Sequence, residues 1–281
     1  MEKINLDYNK DLNYDTILNN LKSNPLIINL INALKLTDEE IINNFELLNN
    51  YAKTNKSCLN CKSRNDCDHS TKGHKYGLKR YGEHDLTDYF TICDYYKDYY
   101  VRKNNLIFTT FKEEDLLDDS QKNFVIDNAS MLGMDFVKKV IAIQKKQKVN
   151  GAFLQINNSK LRLKLLKSLS YGLLLNHQVS IVKFSDLLKT IKSEFKGNTN
   201  TFNIVLETDI LIIDGLGNES ITTWSRDEIL MSLLDNRIQN DKITILCSEF
   251  SLEELKKLYK INYNDDVKAN QIIDKINEII D

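Results

Sequence analysis

The segment Asp209-Ile-Leu-Ile-Ile-Asp214, continued by Gly-Leu-Gly-Asn-Glu219, limits the fold more than any other stretch of this chain. Four consecutive branched apolar residues bounded by acids fit a strand buried on both faces, and such strands belong to parallel sheets covered by helices. Further short apolar runs lie at Gly151–Ile156, Val179–Phe184 and Lys242–Ser248. Helical stretches occupy Phe136–Gln147, Lys160–Leu175, Ser185–Phe195 and Arg226–Ile238. The expectation for 133–281 is therefore an α/β domain with a parallel sheet flanked by helices. In it Asp214 stands at the carboxyl end of a buried strand, where an acid meets Mg²⁺ through water in P-loop nucleotide sites. The partner of that acid is a loop of the form G-x-x-x-x-G-K-[ST]. Here the chain reads Gly151-Ala-Phe-Leu-Gln-Ile-Asn-Asn-Ser-Lys-Leu-Arg-Leu163, with no glycine after the strand.

A chain of 281 residues is long for one domain, and two are expected. The net charge of -2 makes no global case for nucleic acid or membrane, but charge is unevenly placed. Between Asp135 and Asp186 no acid occurs, while Lys138, Lys139, Lys145, Lys146, Lys148, Lys160, Arg162, Lys164, Lys167 and Lys183 all do. This stretch is either a solvated basic face, offset by acids elsewhere, or a phosphate-binding surface. No run of 18 apolar residues and no signal-peptide pattern is present, so a cytoplasmic protein without membrane contact is expected.

Residues 1–55 read as a helical segment. Asn24 before Pro25 fits an N-cap, and Leu26, Ile27, Leu30, Ile31 and Leu34 form an apolar stripe. Thr37 with Glu40 fits a capping box for a helix carrying Ile41, Phe45 and Leu48. Residues 56–105 hold four of the five cysteines, and 106–132 read as a linker. In a reducing compartment, cysteines packed between 58 and 93 point to metal rather than disulfides. Cys58-Leu-Asn-Cys61 has the spacing with which two thiolates reach one tetrahedral zinc, and Cys67, His69, His74, His84 and Cys93 are candidates for the other ligands. Four protein ligands leave no place for water, so such a zinc is structural.

The chain resembles the bacterial primosomal helicase loaders of the DnaC/DnaI type along nearly its whole length. Asp214-Gly-Leu-Gly-Asn-Glu219 is similar to the family's D-D-I-G-A-E, Thr223-Trp-Ser-Arg-Asp-Glu-Ile-Leu230 to S-W-x-R-D-x-x-L, and Leu246-Cys-Ser-Glu-Phe-Ser-Leu-Glu-Glu-Leu255 to the T-S-N-F-S-x-x-x-L strand end. The helix from Val267 to Ile276 resembles A-x-R-I-M-E-R-I. Cys58, Cys61, Cys67, Lys72-Gly-His74 and Cys93 resemble the family's zinc module. The resemblance implies an AAA+ ATPase fold, zinc on Cys58, Cys61, His74 and Cys93 with Cys67 as the competing ligand, a replicative helicase as partner, single-stranded DNA as a possible second, and possible oligomers.

Against that pattern the nucleotide site is degraded. The loop positions fall on Asn157 to Leu163, including Ser159 and Lys160, with Arg162 in the place of the lysine and Leu163 in that of the Mg²⁺-binding hydroxyl. Gly215 replaces the acid that polarises water, Glu249 the polar sensor asparagine, and Gln271 the sensor arginine. Losing all of these removes the charge stabilisation on which phosphoryl transfer depends. ATP hydrolysis is expected to be lost, with ATP and Mg²⁺ doubtful as ligands. Arg226 and Arg237 stand where family arginines act across a subunit boundary, and Lys183 with Phe184 lies near the family's single-strand contacts. The expected function is a helicase-loader-like adaptor; the alternatives are an active loader whose Lys160 or Arg162 contacts phosphate, and an inhibitor of loading. No other chemistry is indicated: His177 has no nucleophile beside it, and Cys247 lies in a buried strand.

Overall fold

The structure is a computed structural model that describes residues 14–194, 200–263 and 265–281. Two compact units divide between Lys97 and Asp98.

The first unit begins with four helices, α1 (Tyr14–Ser23), α2 (Pro25–Leu34), α3 (Asp38–Asn43) and α4 (Phe45–Asn55). Asn24 accepts from the Leu26 N–H at 3.0 Å, with Pro25 at the first helical position. Thr37 and Glu40 form the reciprocal capping box. A hairpin follows, β1 (His74–Tyr81) and β2 (Asp85–Ile92), antiparallel with Leu78 opposite Asp88. Tyr76, Leu78 and Leu86 are buried with Leu21, Ile27, Ile31, Ile41, Leu48 and Ala52, so one hairpin face closes the helical core. Asn44 holds the Leu86 N–H and Asn55 the Tyr76 carbonyl, which stitches α4 to both strands.

Helix α5 (Asp94–Asn105) leads into the second unit. It comprises β3 (Leu106–Thr109), the short helices α6 (Glu113–Leu116), α7 (Phe124–Asp127) and α8 (Ala129–Leu132), then α9 (Met134–Gln144), β4 (Gly151–Gln155), α10 (Ser159–Leu173), β5 (Val179–Lys183), α11 (Phe184–Glu194), α12 (Thr201–Glu207), β6 (Ile210–Asp214), a π-helical turn Trp224–Met231 running into α13 (Ser232–Gln239), β7 (Ile243–Ser248), α14 (Leu252–Tyr259) and α15 (Asp266–Ile280). The five strands form an all-parallel sheet in the order β3-β5-β6-β7-β4. This is the expected α/β architecture.

Alternation along β6 explains why the segment is apolar throughout. Ile210 and Ile212 pack with α9 and α10 on one face, while Leu211 and Ile213 pack with α11, α13, α14 and α15 on the other. Each such side chain contributes about 1.5–3 kcal/mol when fully buried, and no position is left for a polar residue until Asp214.

The expected linker at 106–132 is corrected. Leu106–Thr109 is the edge strand β3, paired with β5, and Leu116, Leu117, Phe124, Val125 and Leu132 enter the core with α10. Residues 98–105 likewise fall in the second unit rather than with the cysteines, because Arg102 Nε donates to the Tyr171 carbonyl at 3.0 Å and its guanidinium lies 4.0 Å from the Tyr171 ring centre. Among the described residues no helix is long and apolar enough to cross a membrane.

Candidate functional site: the cleft at the carboxyl end of the sheet

Parallel strands deliver β4, β6 and β7 to one end of the sheet, so Ile156, Asp214 and Glu249 emerge side by side. Helix α10 starts directly above β4, as a phosphate-binding helix would. Its first free N–H groups are already occupied: the Asn158 side chain accepts from Lys160 N–H at 2.9 Å and Leu161 N–H at 3.2 Å. An N-cap side chain takes the place an anion would take at a helix N-terminus. Asn157, Ser159 and Lys160 are exposed around it.

Arg162, one turn into α10, does not reach out of the cleft. Its Nε donates to Asp214 Oδ1 at 2.8 Å, and a terminal nitrogen donates to the Ile156 carbonyl at 2.7 Å. The same nitrogen lies 4.0 Å from Glu249. Arg162 is 6% and Asp214 7% exposed, so the pair is buried. Burial pushes the Asp214 carboxyl above its ordinary range, opposed by the Arg162 guanidinium, Lys183 and the Gly215 N–H. The strand-end acid is thus neutralised by a cation of the chain itself.

The neighbouring positions complete the closure. Gly215 has φ +74°, a left-handed conformation that glycine takes at little cost, and its N–H is bound to the Cys247 carbonyl at 2.9 Å. Leu163 presents no oxygen. Gln271 is exposed on α15 and takes no part in the ion pairs around Asp214. Glu219 turns inward, accepting from Gly217 N–H at 2.8 Å and Tyr259 O–H at 2.9 Å, and thereby pins the turn after β6.

Three expected contact residues are corrected. Arg237 is fully buried and donates to Thr244 Oγ1 and to the carbonyls of Val205, Leu206, Thr208 and Ile243, gathering the amino ends of β6 and β7. Arg226, 2% exposed, grips Asp227, Asp265 and the Tyr259 carbonyl. Neither is an interface arginine; both hold the fold of their own chain. Phe184 is fully buried among Leu187, Leu188 and Val205, so it offers no ring to a base.

The basic stretch is divided as well. Lys167 pairs with Asp115 and Asp118, Lys139 with Asp135 and the Ile280 carbonyl, and Arg162 with Asp214. Lys145, Lys146 and Lys148 precede β4, at the opposite end of the sheet from Lys160 and Lys183, which are exposed at the carboxyl end.

In the first unit, a turn joins Cys58 and Cys61, whose N–H reaches the Cys58 carbonyl at 3.4 Å. Burial raises the Cys58 thiol, as do its neighbours Cys93, Cys61 and Cys67. Cys93 N–H donates to the Gly73 carbonyl at 2.8 Å, and His74 faces Ile92 across the hairpin, so both lie at its open end. His84 is at the far turn, exposed and 3.5 Å from Glu40, and leaves the ligand set. Among the described residues no three such side chains are already arranged to hold a metal ion. The thiol and imidazole donors still suit zinc chemically, and one buried imidazole nitrogen, Nε2 of His69, lacks a partner.

Against known proteins, no family model matches the chain. The replicative helicase loader DnaI of Bacillus subtilis (strain 168) is 23% identical over 264 residues, spanning 88% of this chain and 84% of that one. The chain is similar to this helicase loader along most of both sequences. The resemblance to helicase loaders read from the sequence is thereby borne out, and the α/β fold with a parallel sheet flanked by helices is the expected one. Solved structures with a likeness include DnaI (21% identical, TM-score 0.46, 64% of this chain and 94% of that one) and the DnaC helicase loader (17%, TM-score 0.42, 52% and 85%). A third is described as a putative primosome component from Streptococcus pyogenes (14%, TM-score 0.49, 64% and 92%). Asn158 is the residue whose role motif reading passed over, although an N-capping residue just before a helix is a readable signal.

Proposed function

We propose that this chain is a helicase-loader-like adaptor of DNA replication that works in the cytoplasm by binding and has no ATP hydrolysis. The relationship to a DnaI loader across most of both chains supports a replicative helicase as partner, with the helical and cysteine-bearing first unit as the docking module. The Arg162–Asp214 pair carries the non-catalytic half of the reading. A site whose acid is neutralised from within, and whose helix N-terminus is capped by Asn158, offers triphosphate neither an unpaired Arg162 nor the N–H groups of Lys160 and Leu161.

Structural zinc in the first unit is part of the proposal, on Cys58, Cys61 and Cys93 with a histidine, Cys67 being the alternative fourth ligand. Single-stranded DNA is proposed at the carboxyl end of the sheet through Lys160 and Lys183, which stay exposed there. With Arg226 and Arg237 committed inside their own fold, any oligomer forms without an arginine reaching a neighbour's nucleotide.

The test combines size-exclusion with the cognate replicative helicase, binding of a fluorescent ATP analogue, and a helicase-loading assay. Co-elution without ATP binding is the expected result. No co-elution overturns the adaptor reading, ATP binding abolished by Arg162→Ala shows a working site with an altered cradle, and suppression of loading shows an inhibitor.

A further inference from the structure

Strand β2 has β1 as its only strand neighbour among the described residues, so one of its edges is open. Which backbone groups point to that edge follows from the ladder. Cys93 N–H donates to the Gly73 carbonyl at 2.8 Å, and in an antiparallel pair hydrogen-bonded residues alternate with unbonded ones. Back along the strand from Cys93, Thr91, Tyr89, Thr87 and Asp85 therefore bond to β1, while Ile92, Phe90, Asp88 and Leu86 turn their N–H and C=O groups outward. Leu86 fixes the phase, since its outward N–H is held by the Asn44 side chain at 3.0 Å. Outward groups on the β1 edge are also served: the Asn55 side chain donates to the Tyr76 carbonyl at 2.8 Å, and His74 N–H to the Thr71 carbonyl at 3.2 Å. No described residue does the same for Asp88, Phe90 or Ile92.

The side chains along this stretch are open too. Residues 88–92 are all exposed, Tyr89 at 42%, Phe90 at 55% and Ile92 at 43%. Asp88, Phe90 and Ile92 share one face of the hairpin with Tyr76 and Leu78. Phe90 sits edge-on to the buried Tyr76, ring centres 5.4 Å apart, so it is held in place while much of it meets water. Exposed strand edges are normally blunted by lysine, proline or a bulge. Strand β1 carries Lys75, Lys79 and Arg80, whereas β2 reads Asp-Leu-Thr-Asp-Tyr-Phe-Thr-Ile, without lysine, arginine or proline, and pairs without a register shift. Its charges are Asp85 and Asp88, and the latter accepts from Tyr76 O–H at 3.1 Å rather than from a cation.

We propose that the outer edge of β2 takes up an extended segment of the protein partner as a third strand. This rests on the first unit being the docking module for the replicative helicase. The incoming strand is apolar and basic. Paired antiparallel, the slightly more stable sense, it sets apolar residues opposite Ile92 and Phe90 and a lysine or arginine opposite Asp88. The outward groups of Asp88, Phe90 and Ile92 hold its backbone, and the alternate side chains decide which segment fits. A second copy of this chain suits the edge less well, because its β2 brings further carboxylates and no cation.

Amide hydrogen exchange of the full-length protein, resolved to single residues and read with and without the cognate replicative helicase, tests this. The N–H groups of Asp88, Phe90 and Ile92 should exchange freely in the protein alone and slow in the complex, whereas those of Tyr89 and Thr91, bonded to β1, are protected in both. Phe90→Pro removes an outward donor and spares the ladder to β1, and Asp88→Lys reverses the charge. Each should weaken helicase binding by about tenfold. Helicase bound while the three amides still exchange freely, or bound as tightly by either folded variant, overturns the strand addition and leaves the adaptor reading standing. The same amides slowed in the protein alone, with a dimer in sedimentation, overturns it in favour of a second copy. Wild type that binds no helicase overturns both readings. The wild-type exchange pattern decides the matter even if Phe90→Pro fails to fold.

Discussion

Replacing Arg162 by alanine tests the internal ion pair most directly. The substitution strands Asp214 beneath α10 and removes the donor to the Ile156 carbonyl. The two side chains are 8% and 10% exposed, so solvent screening gives little relief. Breaking a buried pair by deleting one partner costs about 3–5 kcal/mol, much of it the stranded charge rather than the lost attraction. Lys183 and the Gly215 N–H remain near the carboxylate, which places the expected loss near 3 kcal/mol at pH 7.5, or on the order of 10 °C in Tm for a unit of this size. The loss should depend on pH. Burial already raises the Asp214 pKa, and without Arg162 it rises further, so the folded variant holds a proton that the unfolded chain releases near 3.8. Stability of the variant then falls as pH rises between those two pKa values, and the penalty shrinks toward pH 5. Urea denaturation followed by circular dichroism at both pH values measures this. The double variant Arg162→Met/Asp214→Leu removes both charges and should recover most of the loss. A double variant no more stable than Arg162→Ala, or an Arg162→Ala protein as stable as wild type, refutes the reasoning.

Three further outcomes are expected. Glu40 is held down to about 2 by the Arg80 side chain and the Thr37 N–H, so its contribution is complete above pH 4.5 and lost as pH falls toward 2; acid titration of a Glu40→Gln variant should lack that step. Arg237→Ala should destabilise the second unit by about 3–5 kcal/mol by leaving buried carbonyls without a donor, and sedimentation should show an unchanged oligomeric state, whereas an interface residue would show the reverse. Gly151→Ala places a methyl 2.0 Å from the Thr244 carbonyl of the paired strand, which can yield only by moving β7, so a loss of about 1–3 kcal/mol in chemical denaturation is expected.

The parts of the fold that were legible in the sequence are those set by local chemistry. The four strands at Gly151, Val179, Ile210 and Ile243 announce themselves because both faces of each are covered, and the Asn24 and Thr37 caps because capping uses neighbours in sequence. What stayed hidden depends on distant partners. Strand β3 is four residues at a sheet edge between a tyrosine-rich and an acidic stretch, too short to show a period. The hairpin β1–β2 carries its apolar residues on one face only, diluted by lysines and aspartates. Arg226 and Arg237 look like surface charges because nothing local reveals the carbonyls and carboxylates that receive them. In the cleft, the sequence shows a loop from Asn157 to Leu163 without glycine, and with Arg162 and Leu163 in place of a lysine and a hydroxyl. That Arg162 turns inward is a matter of geometry, set by its place one turn into a helix that starts above the acid.

This geometry also bears on how such a site could be lost or regained. Without a partner, the strand-end acid would be an unpaired buried charge. Arg162 removes that cost permanently, because a guanidinium can satisfy Asp214 and the Ile156 carbonyl together from one position. Lysine at 162 has a single ammonium on a flexible stem and would serve the two acceptors less well, yet it would still face Asn158 capping the helix, leucine at 163 and no glycine in the loop. Arg162→Lys is therefore expected to lower stability without restoring ATP binding. Restoration requires the loop to be rebuilt with glycines so that its N–H groups face outward. On the adaptor reading proposed above, switching comes from what binds the protein's surfaces and not from this cleft.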